Sequence, residues 1–445
     1  MKSIFINFCA LLCVFAIVAC EENDNNSKPK GPDYDPSKPV VLTGFMPDSG
    51  RVAEKVLLEG SNFGNDPDKI SVYFNQKKGK VIGATGNIMY VVVPRMPGDT
   101  CTVTVKVGEN SNPVLGKDSI VAEHKFRYKV SVSVSTVVGN GTYAFREGDL
   151  SYAQLRPRYL TVDNDDNLFV VQRSDGLEGL IRVSEKENSV TLLGSGMRNP
   201  NAITVDKETG IVTLPADGVA EIYFNADPAE GWAVRTRNLK LGFTITGGNT
   251  GDGRYKHAMA FCPWDGKVYV RFRSGDIAKI DPKTYQTERI YTTAFGDVYG
   301  LAFHPLHPEL LYMAMGSECG ANAHSICVID VSDPENSFRQ LSAPNASGGF
   351  RDGRLENAQF RYPAQLYFDP DGTCYIADRD NHCIRKITPD NMVETVVGIP
   401  GTSGFKDGNA DEALFNQPWG IGVSNDGTVY VADYSNGRVR KLAIE

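Results

Sequence analysis

The segment TCYIADRDNHCIRKI, residues 373–387, decides the fold, and it returns as TVYVADYSNGRVRKL at residues 428–442. In each copy an alternating apolar run ends at an aspartate, Asp378 or Asp433, and a short polar turn leads into a second alternating run. Alternation at period two is typical of half-buried strands, and a short polar link between two such runs indicates a hairpin. The sequence therefore predicts the same β-hairpin twice.

The flanking segments repeat with the hairpins. GGFRDG at Gly348 returns as SGFKDG at Ser403, and QFRYP at Gln359 returns as LFNQP at Leu414, so one unit recurs every 55 residues. A fixed period in this range predicts a solenoid or a propeller. Weaker copies of the opening strand begin near residues 156, 199, 256 and 298, which makes six repeats.

The two strong copies, YIADRDNHCIRKI and VYVADYSNGRVRKL, each follow a strand that begins with proline, and they resemble NHL repeats. The resemblance implies a six-bladed β-propeller over residues 130–445, with four antiparallel strands in each blade. The last copy ends without an outer strand, whereas VSTVVG at Val134 matches VETVVG, the outer strand at Val393. We therefore predict that residues 131–138 complete the last blade and close the ring.

Residues 39–129 contain short alternating strands separated by Gly, Pro, Asn and Asp, which predicts an antiparallel immunoglobulin-like sandwich. PDSG at Pro47 and VLLEGSNFG at Val56 resemble the signature of IPT/TIG domains. Gly60 and Gly64 would permit tight turns, with Phe63 plugging the end of the sandwich. The predicted fold class is thus all-β, and the resemblance implies a spacer or docking unit before the propeller.

The N-terminus predicts export and anchoring. Residues 1–19 have the charge and the short apolar run of a signal peptide, and they end in IVAC, which resembles a bacterial lipobox with Cys20 as the lipidated residue. An ordinary signal peptide with an incidental cysteine is the alternative. Residues 20–38 are polar and acidic, which predicts a disordered tether. The acidic residues after Cys20 resemble the surface-export signal of Bacteroidetes lipoproteins, so we expect an outer-membrane lipoprotein that faces the cell exterior.

Charge and cysteines exclude some classes and leave others open. A net charge of −8 without a basic stripe argues against a nucleic-acid partner. No pair has the CxxC spacing of zinc sites, so neither a metal site nor a cofactor is predicted, and a bound structural cation stays open. Disulfides are possible between Cys319 and Cys327 and between Cys374 and Cys383, with unpaired buried cysteines as the alternative.

The loops that enter the blades are long and varied, so we expect binding on their face of the propeller. Aromatic, guanidinium and amide groups suit carbohydrate, because rings stack on sugars and the polar groups bind hydroxyls. The alternative is that these side chains only close the channel. The residues predicted to ring the channel mouth are Arg158, Tyr159, Asn201, His257, Tyr299, Gln365 and Trp419.

The predicted function is a surface lipoprotein that binds an extracellular ligand, most plausibly a glycan captured for uptake together with outer-membrane uptake proteins. A propeller hydrolase or lyase acting on a sugar or lactone and a protein-interaction scaffold are the alternatives. Only His257 at the mouth and His324 in a loop offer catalytic side chains, and no two histidines take equivalent positions, so no catalytic residue is assigned. Asp378 and Asp433 are equivalent, and we interpret both as residues that hold the hairpin turn.

Overall fold

The computed structural model describes residues 31–75, 77–95, 99–108, 119–129, 131–174, 177–247, 251–343 and 347–444. The predicted signal peptide (1–19), Cys20 and the first part of the predicted tether lie outside the described residues. The chain forms two compact units, one ending at Lys129 and one spanning Val130–Glu445. Within the described ranges, no helix has both the length and the apolar character that a membrane crossing requires.

The first unit consists of two β-sheets. A three-stranded sheet contains, in spatial order, Ser49–Gly50, Phe126–Tyr128 and Asp99–Cys101. The second sheet has seven strands, in the spatial order Val41–Met46, Lys55–Ser61, Ile88–Val92, Lys77–Ala84, Ile70–Phe74, Val103–Val107 and Ser119–Val121.

Phe63 is fully buried in the core of the first unit, as the sequence predicted. A side chain at Gly60 would lie 1.9 Å from the carbonyl oxygen of Val41, so only glycine fits beside the neighbouring strand. Asn62 accepts a hydrogen bond from the N–H of Asp35 and donates to the carbonyls of Asp35 and Lys38. The first unit therefore includes residues 31–38, which the sequence had placed in the tether, because these backbone groups find partners there.

The second unit is a propeller of six antiparallel sheets, as predicted. We number the blades 1 to 6 from the N-terminus and give the strands from the innermost outwards. Blade 1 contains Pro157–Val162, Leu168–Ser174, Leu177–Ser184 and Ser189–Ser195; blade 2 contains Thr204–Val205, Val212–Pro215, Ile222–Ala226 and Val234–Asn238; blade 3 contains Lys256–Phe261, Val268–Phe272, Asp276–Ile280 and Gln286–Thr292, with Lys240–Leu241 at its edge.

The remaining blades follow the same order, and blade 6 takes its outermost strand from the start of the unit. Blade 4 contains Val298–Phe303, Leu310–Met315, Ile326–Asp330 and Arg339–Gln340; blade 5 contains Pro363–Phe368, Cys374–Asp378, Cys383–Ile387 and Met392–Val397, with Gly353–Arg354 at its edge; blade 6 contains Pro418–Val423, Val429–Asp433, Arg438–Ile444 and Val132–Val138, with Gly408–Asn409 at its edge.

Helical segments in the described ranges are short. A four-residue α-helix spans Pro334–Ser337. The 3-10 turns are Pro67–Lys69, Pro228–Glu230, Asp252–Arg254, Gly320–Asn322, Leu355–Asn357, Arg379–Asn381 and Tyr434–Asn436.

The innermost strands of neighbouring blades approach closely around the channel. A side chain at Gly300 would lie 2.4 Å from the carbonyl oxygen of Ala364, and one at Gly420 would lie 2.8 Å from Cα of Tyr159. Glycine lets these backbones meet, and this narrows the channel that the larger side chains then fill.

The ring closes through the strand Val132–Val138, as the sequence predicted. Val134 lies opposite Leu442, and the N–H and hydroxyl of Thr136 both donate to Asp407. In blade 5 the N–H and hydroxyl of Thr395 donate to Asp352 in the same way. The first strand of the propeller therefore serves as the fourth strand of blade 6 and joins the start of the ring to its end.

Neither proposed disulfide forms. Cys374 lies opposite Ile387 and Cys383 lies opposite Asp378, at the two ends of one strand pair, because the hairpin register does not bring them together. Cys319, Cys327, Cys374 and Cys383 are all buried, and each is a free thiol. For these two pairs the structure therefore agrees with the alternative given in the sequence analysis, which was unpaired buried cysteines.

Candidate functional site

The propeller has two dissimilar faces. We call the loop face the one formed by the links from each outer strand to the next blade and by the links between second and third strands. The turn face carries the links between first and second strands. In an antiparallel meander these two sets of links lie at opposite ends of the strands, so a ligand meets either long loops or short turns.

Aromatic side chains meet at the loop-face end of the channel. Tyr299 stacks on His257 at a centroid distance of 4.5 Å and lies 5.6 Å from Tyr159 and 5.5 Å from Trp419. Tyr362, which the sequence analysis did not single out, lies 5.8 Å from Trp419. We call these five residues the channel plug. They come from blades 1, 3, 4 and 6 and from the loop entering blade 5.

The channel plug closes the channel. Its side chains pack against each other and are almost fully buried, with Trp419 only 6% exposed. The predicted residues Tyr159, His257, Tyr299 and Trp419 do lie together, but their ring faces cover one another. A sugar therefore cannot stack on them as the sequence suggested, because the faces are already in contact with neighbouring rings.

Asn201 is also buried, beside the channel plug. Its side-chain amide donates to Asp217 at 2.8 Å and to the carbonyl of Lys256, and its oxygen accepts from Arg173. Arg173 also forms an ion pair of 3.0 Å with Asp217. Asn201 thus holds a buried polar network together and leaves no group for a ligand hydroxyl.

Gln365 does not lie at the loop-face mouth. Its side-chain oxygen accepts from the N–H groups of Leu160 and Ile421, and its amide donates to the carbonyls of Leu160 and Ile203. It also lines a cavity of about 400 Å³ on the turn face. Gln365 joins the inner strands of blades 1, 2 and 6 within the channel, because it lies one residue further along its strand than the mouth position.

A network of charges surrounds the channel plug. Asp297 accepts a hydrogen bond of 2.7 Å from the hydroxyl of Tyr362 and lies 3.2 Å from Nε of Arg273. Arg273 also pairs with Asp252 and Glu318 at the rim. These residues come from different loops, so the network holds the loop face in one arrangement.

His257 is neutral in this environment. Burial is the first cause that lowers its pKa well below the usual value, and the nearby positive charges of Arg271, Arg173, Arg273 and Arg158 add to the effect. Its Nδ1 lies 3.7 Å from Asp297 and has no hydrogen-bond partner. The described ranges contain no group of three or more metal-binding side chains.

Two guanidinium groups flank the indole of Trp419. Cζ of Arg158 lies 4.0 Å from its ring centroid, and Cζ of Arg379 lies 4.4 Å from it. Arg379 also covers the ring of Tyr362 at 3.4 Å and pairs with Asp380. Arg158, which is half-buried, is thus the predicted mouth residue that still faces solvent.

Exposed aromatic side chains lie on the loop face, and the sequence analysis missed them. All five belong to loops that link an outer strand to the next blade, and their exposures lie between 41% and 58%. Each ring is in contact with an arginine whose Cζ lies 3.8 to 5.0 Å from the ring centroid. The pairs are Tyr143 on Arg156, Tyr152 on Arg146, Phe295 on Arg273, Phe350 on Arg385 and Phe405 on Arg438. The repeated GF of GGFRDG and SGFKDG was a signal for two of them.

Two histidines take equivalent positions, contrary to the sequence analysis. His324 and His382 both have positive φ in the link between the second and third strands of their blades. Nδ1 of His324 accepts the N–H of Tyr362, and Nδ1 of His382 accepts the N–H of Gln417. Each histidine therefore binds the segment just before the inner strand of the next blade.

The family comparisons agree with both units. Residues 39–128 match the model of the IPT/TIG domain, and residues 360–387 and 415–442 match the model of the NHL repeat. The chain therefore combines an IPT/TIG domain with a six-bladed propeller that contains NHL repeats.

Solved structures from Bacteroides share the whole architecture. A structural genomics protein of unknown function from Bacteroides thetaiotaomicron is 25% identical, with a TM-score of 0.76 over 93% of this chain and 100% of that one. An auxiliary nutrient binding protein from the same organism is 24% identical, with a TM-score of 0.60 over 93% and 99% of the two chains.

Similarity to curated proteins is confined to a part of the chain. NHL repeat-containing protein 2 from Gallus gallus is 35% identical over 85 residues, which is 19% of this chain and 11% of that protein. The chain spans less than a third of the length of each curated relative that it matches here.

Proposed function

We propose that the chain is a cell-surface lipoprotein that binds an extracellular glycan on the loop face of its propeller. The supporting observation is the set of exposed aromatic rings on this face, Tyr143, Tyr152, Phe295, Phe350 and Phe405. Ring faces attract the apolar C–H surface of sugars, and nearby guanidinium and carboxylate groups bind hydroxyls.

The arginine below each ring favours this function over a generic apolar patch. A cation–π contact fixes the orientation of the ring and leaves its outer face to solvent. Rings that are held before binding lose little conformational freedom when a ligand arrives, so more of the contact energy appears as affinity.

The relatives support the ligand-binding part of the proposal. The similar protein from Bacteroides thetaiotaomicron is named for nutrient binding, as is another from Bacteroides ovatus. That likeness extends to the fold, and the glycan class rests on the residues of the loop face. The lipobox-like IVAC before residue 21 supports the surface location.

A glycan array followed by calorimetry on the full chain tests the proposal. The double variant Phe350→Ala/Phe405→Ala should bind the selected glycan about fivefold to 100-fold more weakly, since each of the two stacked aromatic contacts contributes about 0.5–1.5 kcal/mol. Trp264→Ala is the matched control, because Trp264 is 55% exposed but belongs to a turn-face link.

The outcome separates the candidate functions. Equal losses in both variants, or no glycan bound at all, would contradict the proposal. Turnover of a bound sugar or lactone would indicate a hydrolase or lyase, and co-purification of an outer-membrane protein without any sugar would indicate a scaffold.

A further inference from the structure

The arginines around the channel plug differ in how their charges are matched. A guanidinium that faces a carboxylate is largely neutralised, and it offers little to an anionic ligand. Three of the five guanidinium groups face carboxylates: Arg173 pairs with Asp217, Arg273 with Asp297 and Arg379 with Asp380. A fourth, Arg271, is fully buried and donates to backbone carbonyls, so it is out of reach of a ligand.

Arg158 has no carboxylate partner in the part of the chain that the structure describes. Its guanidinium instead lies over the indole of Trp419 at 4.0 Å and over the ring of Tyr434 at 5.5 Å. Its Nε is buried without an acceptor. A cation–π contact orients a guanidinium but uses none of its N–H donors.

One other polar atom near Arg158 also lacks a partner. Nδ1 of His257, which is 2% exposed, has no hydrogen-bond partner, whereas the buried hydroxyl of Tyr159 interacts with Arg158 itself. Native proteins satisfy nearly all such buried groups, so each exception calls for an explanation. A polar ligand group that binds at the mouth is an explanation that fits both Arg158 and His257.

The shape of a guanidinium selects among polar groups. Two parallel N–H donors match the two oxygens of a carboxylate, and such charge-assisted pairs are about twice as strong as neutral hydrogen bonds. Asp380 already occupies Nε and Nη2 of Arg379, so an incoming anion meets Arg158 as the unmatched positive charge.

We propose that the loop face selects acidic glycans, and that the guanidinium of Arg158 binds the carboxylate of a uronic acid residue at the mouth. This inference rests on the proposed glycan-binding function and names its ligand class. The exposed rings would stack on neighbouring sugars while Arg158 recognises the charge.

Polygalacturonate and its methyl-esterified form test the inference, because esterification removes the carboxylate charge and leaves the sugar backbone. The full chain should bind polygalacturonate at least tenfold more tightly, as measured by biolayer interferometry, and the preference should shrink as the NaCl concentration rises. Arg158→Gln should abolish the preference, and Arg158→Lys should restore part of it, since lysine keeps the charge but not the paired donors.

Arg235→Gln is the matched control, because Arg235 lies in the outer strand of blade 2 in an exposed ion pair with Glu230. It should keep the preference. Circular dichroism melting of all three variants identifies any that fail to fold. If Arg158→Gln does not fold, the preference of Arg158→Lys is compared with that of the wild type instead. Equal binding of both polymers, a preference for dextran sulfate over polygalacturonate, or an unchanged preference in Arg158→Gln would overturn the inference. Binding of a neutral glycan that depends on Phe350 and Phe405 would support the proposed function and contradict only the inference about acidic glycans.

Discussion

At the scale of single residues, the repeated aspartates have a larger role than the sequence indicated. Asp378 accepts the N–H of Arg361 and the amide of Asn381, as a turn-holding residue would. It also lies 3.1 Å from Arg385, and neither side chain is exposed. Arg385 binds Asp352 of the GGFRDG segment as well. Asp378 is therefore the ion-pair partner of Arg385 as well as a residue that holds the hairpin turn.

Removing one partner of this buried pair should be costly. Asp378→Ala leaves the guanidinium of Arg385 buried with part of its charge unmatched, and we expect a loss of about 3–5 kcal/mol in the free energy of unfolding. Urea denaturation measures it. The control Glu394→Ala breaks an ion pair with Lys386 in which Glu394 is 49% exposed, and it should cost less than about 1 kcal/mol. Similar losses in both variants would refute the assigned role.

The two equivalent histidines predict a pH dependence. Burial is the main cause that lowers the pKa of His324 and His382 below 6.5, with Arg361 and Arg379 acting in the same direction and Asp380 opposing them. The folded state then binds fewer protons than the unfolded state. Their contribution to stability is present above pH 6.5 and is lost as the pH falls below it.

The double variant His324→Asn/His382→Asn isolates this effect. Asparagine tolerates the positive φ and offers an acceptor in place of Nδ1, but it does not titrate. The melting temperature of the wild type should fall relative to that of the variant between about pH 7.5 and pH 5.5, because the wild type gains more protons on unfolding than the variant does in that range. Parallel melting curves at both pH values would count against the histidine contribution.

At the scale of elements, ring closure depends on the strand Val132–Val138. Thr136→Ala removes one hydrogen bond to Asp407, and Thr395→Ala removes the equivalent bond to Asp352. If Val132–Val138 is a true fourth strand, both variants should lose about 0.5–1.5 kcal/mol, and deletion of residues 131–138 should destabilise the whole propeller. Thermal unfolding compares them, and a deletion variant with the wild-type melting temperature would rule out this closure.

The hairpins of blades 5 and 6 were predictable because their alternation of apolar and polar residues is local. The middle blades were harder to predict because the buried arginine and aspartate contacts come from different positions there. In blade 3 the guanidinium of Arg271 binds the carbonyls of Gly296 and Ala294 from the second strand, whereas Arg385 acts from the third. Asp276 accepts from Thr246 and Thr292 and pairs with Arg289 of the outer strand. A comparison with the repeat motif therefore does not recognise the middle blades as repeats.

At the scale of the whole molecule, the proposed lipid anchor and the proposed exposure at the cell surface can be tested separately. Cys20→Ser should move the protein from the outer-membrane fraction to a soluble fraction of the producing bacterium, since the lipid would be its membrane attachment. Cell fractionation and immunoblotting measure this. Proteinase K added to intact cells should degrade the wild-type protein, and full protection of an anchored protein would place it on the inner leaflet.

The sequence by itself determined the all-β class, the division into an IPT/TIG domain and a propeller, and the strand that closes the ring. These follow from the period-two alternation and from the constant repeat length, and both can be read directly along the chain. It also brought Tyr159, His257, Tyr299 and Trp419 to one place, because equivalent positions of a ring must meet.

Only the tertiary structure decided what that place is. Burial depends on which side chains from distant blades cover each other, so the predicted open mouth proved to be a closed plug. The exposed rings lie outside this plug. Which arginines find a carboxylate partner depends on contacts between loops far apart in the chain, and these contacts leave Arg158 without one among the described residues.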